Sequence, residues 1–300
     1  MTEERKQEIL EIIRNTNRRP AQTGKPLYPE EIMAYPNLCE EIESISRTVD
    51  GFSYRMDILR AKNRGENCPL FINIHGGGFI GPHRENDTYF SAYMADQIHG
   101  ITVDLDYTLS DAAPYPVALH QCMDALDYVA EHANTWGASA KDISVGGYSA
   151  GGALTAAMGI CCAECGGFVP KLQILCYPPL EYRIPDQYKI DAYDRQIGME
   201  RCKAFADLYF DDKKENFEDI HNSPLYAPRE ILAKQPKTLI LSAGLCNFRY
   251  EDEDYAICLA DAGAEVILKR FPEASHGFIP HFMDGWKEAA DLMVREILEK

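Results

Sequence analysis

Three stretches of this chain carry side chains or backbone amides suited to acyl transfer. The first is Gly147-Tyr148-Ser149-Ala150-Gly151-Gly152. It follows the short apolar run 142–146 and precedes the alanine-rich run 153–158, so it reads as strand, sharp turn and helix with a serine at the apex. Glycines on both sides let so tight a turn close without a clash, and the serine hydroxyl is lifted out of the sheet. The second is His75-Gly76-Gly77-Gly78-Phe79, directly after the apolar run 70–74. Three consecutive glycines leave backbone N–H groups open to an oxyanion, and the amide of Ala150 can join them. His75 itself reads as a structural residue that holds the loop. A phosphate cradle is the competing reading, but neither G-x-G-x-x-G nor a P-loop lysine is present. The third is Phe271-Pro272-Glu-Ala-Ser-His276-Gly277-Phe278, where a histidine on a loop after the last strand can reach the serine as its base.

These groups need a scaffold that brings residues 75, 149 and 276 to one place. Glu43 to Thr48 and Ser53 to Leu59 alternate polar and apolar across Asp50-Gly51, which predicts an antiparallel hairpin at a sheet edge. Beyond it, apolar strands at 70–74, 101–104, 143–146, 172–176, 238–242 and 265–269 alternate with helical stretches near 87–99, 117–133, 150–163, 250–262 and 285–299. This rhythm predicts a mostly parallel sheet with helices on both faces, an α/β core over 41–182 and 236–300. Residues 2–19 carry one apolar stripe (Ile9, Leu10, Ile12, Ile13) and lead into the proline-rich stretch 20–36, so 1–40 reads as a helical lid segment or a solvated arm. About sixty residues separate the strands at 172–176 and 238–242, far more than an ordinary crossover. We read 183–235 as an insertion over the active-site face, the second part of a lid.

Three hundred residues and 46% hydrophobic content support one large core. No window approaches the roughly 18 apolar residues of a membrane span, and the mixed-charge N-terminus does not read as a signal peptide, so a cytoplasmic protein is expected. A net charge of −17 argues against nucleic acid or an anionic membrane as partner and fits a small neutral substrate. The ten cysteines read as free thiols. Cys161-Cys162-x-x-Cys165 looks like half a metal site, but no second Cys/His pair follows at zinc-finger spacing, and buried helix residues are the better account. No cofactor or metal is expected, and a homodimer is left open.

Taken together, the HGGGF loop, the GYSAGG turn, Asp106-Tyr107-Thr-Leu-Ser-Asp-Ala-Ala-Pro114-Tyr-Pro116, Ser223-Pro224-Leu225 and His276-Gly277-Phe278 occur in the order typical of one family. The chain resembles the α/β-hydrolase fold, specifically the hormone-sensitive-lipase-like esterases, over most of residues 40–300. The resemblance implies ester hydrolysis through an acyl-enzyme on Ser149, with His276 as base and the amides of Gly76, Gly77 and Ala150 as oxyanion hole. It also implies an acidic residue in a segment like G-x-x-D-P-L-x-D-E. Here that segment reads Ala243-Gly244-Leu245-Cys246-Asn247-Phe248-Arg249-Tyr250-Glu251, which puts Cys246 at the aspartate's position. A neutral thiol is a weak acceptor and fixes an imidazole poorly. Glu251, Asp252 or Asp254 could substitute from the following helix, Glu181 or Asp186 from another loop, or Cys246 could ionise beside imidazolium. A chain with no acid at all stands beside these.

The leading expectation is therefore a serine carboxylesterase acting on small short-chain esters such as acetyl esters, with an atypical triad acid. A ligand-binding protein of the same fold, catalytically impaired at Cys246, is the second expectation. A peptidase is the third, and 300 residues leave little room for the large domain that would accompany it.

Overall fold

The computed structural model describes residues 1–16, 27–184 and 197–299. In chain order the helices and strands are α1 (Glu3–Asn15), α2 (Glu30–Met33), β1 (Glu43–Val49), β2 (Phe52–Arg60), β3 (Cys68–Ile74), α3 (Glu85–Gln97), β4 (Ile101–Asp106) and α4 (Val117–His132). They continue with β5 (Ala138–Tyr148), α5 (Ala150–Cys165), β6 (Leu172–Cys176), α6 (Met199–Tyr209), α7 (Arg229–Leu232), β7 (Lys237–Ala243), α8 (Arg249–Ala262), β8 (Val266–Phe271) and α9 (Trp286–Leu298).

The strands form one eight-stranded sheet in the order β1-β2-β4-β3-β5-β6-β7-β8. β1 and β2 pair antiparallel, with Val49 opposite Phe52. Asp50 and Gly51 between them both take positive φ, at 53° and 84°, the geometry an Asp-Gly hairpin turn requires. From β4 to β8 every neighbouring pair is parallel. This matches the mostly parallel sheet expected above, and the observed strands extend the sequence-based ones by up to five residues.

Burial follows position in the sheet. β6 is buried at all five residues, because helices cover both its faces. Along it Leu172, Ile174 and Cys176 face α3 and α9, while Leu175 faces α5 and α8. β1 and β8, at the edges, are at most half-buried along most of their length. Each buried Leu, Ile or Phe on these faces contributes about 1.5–3 kcal/mol relative to exposure, so the centre of the sheet is the stiffest part of the molecule. Ser149 and the loop from His75 both leave this centre at the C-terminal ends of their strands.

α1 does not lie free. Its stripe of Ile9, Leu10, Ile12 and Ile13 packs with Ala204 and Leu208 of α6 and with Ile80 of the glycine loop, and Arg5 reaches Asp207 at 3.1 Å. Cys161, Cys162 and Cys165 lie at the end of α5, where Cys162 is buried in the core. Asp186 lies outside the described residues, as do parts of both 1–40 and 183–235.

Candidate active site

β5 ends at Tyr148 and α5 starts at Ala150, so Ser149 alone makes the turn, with φ 53° and ψ −118°. Its amide donates to the Cys176 carbonyl at 2.9 Å, which ties the turn to β6. The surrounding backbone is very close. A methyl group at Gly151 would lie 2.1 Å from the Ile74 carbonyl oxygen, and one at Gly147 would lie 2.4 Å from the Gly151 backbone. Only glycine fits there, and the strained serine is held by its neighbours rather than by its own preference.

His276 sits on the loop after β8. Its Nε2 is 2.9 Å from Ser149 Oγ. Its Nδ1 is 3.0 Å from Cys246 Sγ. The Phe248 amide donates to that sulfur at 3.4 Å. Tyr177 and Phe248 wall the imidazole, with ring centroids 5.0 Å and 5.6 Å away. Burial pushes His276 down to about 3, and the charges of His281 and Arg201 push the same way. Its resting state is neutral imidazole. Burial likewise drives the Cys246 thiol well above its usual value, with Asp252 reinforcing it, so the group facing Nδ1 is an uncharged thiol.

Four of the other carboxylates considered from sequence lie among the described residues. Glu251 Oε2 accepts the Leu180 amide at 2.7 Å. Asp252 is fully buried on α8, where desolvation and the adjacent Glu251 hold it protonated. Asp254 is exposed to solvent. Glu181 accepts the Ile184 amide at 3.0 Å and the Tyr226 hydroxyl, which makes it the clamp of its own loop.

The glycine loop lies against the serine turn. Among the described residues the amides of Gly76 and Gly77 donate to no protein acceptor, while the Gly77 carbonyl accepts from Gly81 at 2.8 Å and closes the loop. Ala150, the first residue of α5, contributes an amide with no intrahelical acceptor. His75 is fully buried, stacks on Tyr107 at 4.3 Å and makes a 2.7 Å hydrogen bond through Nδ1 with the Gly76 carbonyl. Burial lowers it to about 4, so it too is neutral. Behind the loop, His83 Nε2 meets the buried Asp104 at 2.7 Å. Burial opposes the charge on His83, but Asp104 outweighs burial and raises it to about 9.

A cavity of about 370 Å³ opens over Ser149 and His276, the size of a small-ligand site. Gly76, Gly77 and Ala150 line its floor, and Ile13 of α1 and Phe205 of α6 line its roof. Phe205 packs so closely on Gly78 that a methyl there would lie 2.5 Å from the ring. Among the described residues, Arg14, Arg84 and Arg201 also line the cavity. The sequence pattern singles out none of them, since no motif links residues so far apart. Among the described residues there is no group of three or more His, Cys, Asp or Glu side chains arranged to hold a metal, and no helix long and apolar enough to cross a membrane.

A family model described as the alpha/beta hydrolase fold matches residues 71–280. Esterase LipI of Mycobacterium tuberculosis is 30% identical over 217 residues, an alignment covering 71% of this chain and 66% of LipI, so the chain spans just under two thirds of that protein. Hormone-sensitive lipase of Bos taurus is 29% identical over 120 residues, covering 40% of this chain and 16% of the lipase. Among solved structures, a thermostable esterase from Pseudomonas putida superposes with a TM-score of 0.75 at 25% identity, covering 98% of this chain and 95% of that one. With the match spanning more than half of its length, the chain belongs to the α/β-hydrolase family, in the company of esterases and hormone-sensitive lipase.

Proposed function

We propose that the protein is a serine carboxylesterase that cleaves small, short-chain esters through an acyl-enzyme, slowly, because a thiol stands where the triad carboxylate belongs. The observation that carries this reading is the 2.9 Å contact of His276 Nε2 with Ser149 Oγ beside amides that have no protein acceptor among the described residues. In the first step His276 Nε2 takes the hydroxyl proton while Oγ bonds to the ester carbonyl carbon. The oxyanion accepts hydrogen bonds from the amides of Gly76, Gly77 and Ala150. The carbon–alkoxy bond then breaks and the proton on Nε2 passes to the leaving alcohol. Water, deprotonated by the same nitrogen, releases the acid and restores Ser149.

The weak point is the positive charge that His276 carries in both transition states. Burial, His281 and Arg201 all oppose that charge, and Cys246 offers no negative charge against it. A thiol also fails to choose the tautomer. Sγ can accept Nδ1–H, leaving Nε2 free to take the serine proton, or its S–H can donate to Nδ1, which puts a proton on Nε2 and blocks the base. A carboxylate permits only the first arrangement. Segments 1–40 and 183–235 form the lid in this reading, with α1, α2, α6 and α7 among its described parts.

The same thiol favours a second reading, a ligand-binding protein with vestigial chemistry. Hydrolysis of 4-nitrophenyl acetate, butyrate and longer esters, with Ser149→Ala as control, separates the two. Turnover that falls with chain length and disappears in the variant supports the esterase. Absence of any Ser149-dependent turnover supports the binder.

A further inference from the structure

Behind the glycine loop lies a buried carboxylate whose counter-charge the loop segment itself supplies. Asp104 is buried on β4 opposite Asn73 of β3, the strand that runs on into His75 and the loop. Its Oδ1 accepts the Asn73 side chain at 3.0 Å, and its Oδ2 meets Nε2 of His83, which stands between the glycines and α3, at 2.7 Å. Burial pushes the Asp104 carboxyl up, but the charge and hydrogen bond of His83, with Asn73 and Ser91 behind them, outweigh it and keep the group ionised. Among the described residues, the other ionisable groups that face His83 are Asp87 of α3, Asp106 at the end of β4 and His75. Asp106 is itself held by Arg55 of β2 at 3.2 Å. The His75 ring meets the His83 ring edge-on, with centroids 5.7 Å apart.

The near end of the loop is held by neutral hydrogen bonds. Tyr107 donates its hydroxyl to the His75 carbonyl at 3.1 Å, and the Ser110 amide and hydroxyl donate to the Phe79 carbonyl at 2.8 and 3.0 Å. His75 Nδ1 holds the Gly76 carbonyl at 2.7 Å. The peptide that follows is planar and trans, so fixing this carbonyl also fixes the Gly77 N–H on its opposite side. The far end is held by the ion pair. We propose that His83 is a positioning residue for acyl transfer at Ser149: its protonated ring cancels the Asp104 carboxylate behind the loop and ties the loop's far end to β4. This inference rests on the esterase reading and adds a control by pH to it. With the proton in place the pair is neutral as a whole; without it, a buried negative charge opposes the oxyanion. Burial works against the charge on His83, but Asp104 raises the group to about 9. The charge is therefore complete near neutrality and is lost as pH rises through about 9. Ionisation of Cys246 would act in the opposite direction, since a thiolate beside His276 raises turnover. His221 in the insertion, raised to about 10 by hydrogen bonds to Asp219 and then Cys161, is far along the chain and is left intact by changes at residue 104.

Hydrolysis of phenyl acetate at fixed pH between about 6 and about 10.5, with the Ser149→Ala rate subtracted, tests it. In the parent protein kcat should fall about 3- to 30-fold, the effect of one unit charge across a protein interior. KM should change by less than about twofold, because the oxyanion exists only in the transition state. The midpoint should coincide with the titration of His83 itself, followed by NMR of ring-labelled histidine in the same protein. In His83→Gln the charge behind the loop appears as Asp104 ionises, so the fall in kcat moves to lower pH. Asp104→Asn and the double variant His83→Gln/Asp104→Asn leave no negative charge there. Both should keep kcat near pH 7 within about threefold of the parent and lose the alkaline fall. Recovery of the double variant over His83→Gln is a result that a merely structural role would not give. A level kcat from about pH 7 to about 10.5, a midpoint more than about one unit from the His83 titration, or a fall unchanged in the double variant overturns the inference. Ser149-dependent turnover near pH 7 would still leave the esterase reading standing.

Discussion

Replacing Cys246 by aspartate tests how this site differs from a complete triad. The carboxylate would face His276 Nδ1, where Sγ now sits at 3.0 Å, and the Phe248 amide that donates to the sulfur would donate to it instead. Aspartate admits only the Nδ1–H tautomer and gives the imidazolium a counter-charge. Removing that carboxylate from a complete triad costs on the order of 10⁴ in turnover, about 5.5 kcal/mol, which sets the ceiling on the gain. The gain here falls below it, because Asp252 and Glu251 crowd the same region and the loop is shaped around sulfur. We expect kcat to rise between roughly 10-fold and 10³-fold. The new charge is buried beside a neutral imidazole, so stability falls by about 1–3 kcal/mol. The assay is kcat and kcat/KM on 4-nitrophenyl acetate across pH, with thermal unfolding in parallel. In the parent protein His276 is neutral above about 3, so the acid limb of kcat/KM lies well below 6.5, the usual value of a histidine. In Cys246→Asp that limb moves to higher pH, because the carboxylate favours the protonated ring. A folded variant whose turnover is unchanged or lower would refute the assignment of Cys246 to the acid's position.

Other outcomes follow from the same geometry. Cys246→Ser should change kcat by less than about threefold, since one weak neutral partner replaces another; a loss of 10²-fold would mean that the thiol does more than fill space. Gly151→Ala forces a methyl to 2.1 Å from the Ile74 carbonyl, a backbone atom that cannot move aside, and should cost at least about 3 kcal/mol in denaturant titration. His83→Ala leaves Asp104 buried without its partner and should cost about 3–5 kcal/mol. His83 is raised in the fold from 6.5 to about 9, so its stabilisation is complete below pH 6.5 and is lost as pH rises through about 9. That slope, measured by unfolding at successive pH values, should be absent in the variant.

Much of this was legible in the sequence because it rests on local constraints. A strand, a turn that only glycine can make and a helix occupy adjacent residues, so the serine turn at 147–152 can be read without knowing the fold. The Asp50-Gly51 hairpin and the buried strand 172–176 are local in the same sense. The family resemblance marked Cys246 as the residue at the acid's position, but which group would face Nδ1 depended on packing: a carboxylate from the following helix or another loop, no acid at all, and the thiol itself were all open, and the structure puts Sγ there, with Glu251 against the Leu180 amide and Glu181 in the 181–184 turn. The arginine lining was not legible at all. Arg14 on α1, Arg84 just before α3 and Arg201 on α6 line one cavity, which is bounded by α1 packed on α6 and by Phe205 against Gly78. The lining of the cavity is a long-range property of the fold, whereas the serine turn is a short-range one.

The account depends most on an acyl group passing through Ser149. Rapid mixing with 4-nitrophenyl acetate, followed by acid quench and mass analysis of the intact and digested protein, measures this directly. The account predicts a burst of nitrophenol and an acetyl adduct on the peptide bearing Ser149, both lost in Ser149→Ala and both strongly reduced in His276→Ala. Acetylation of another residue, or hydrolysis that persists at the same rate in Ser149→Ala, would contradict it.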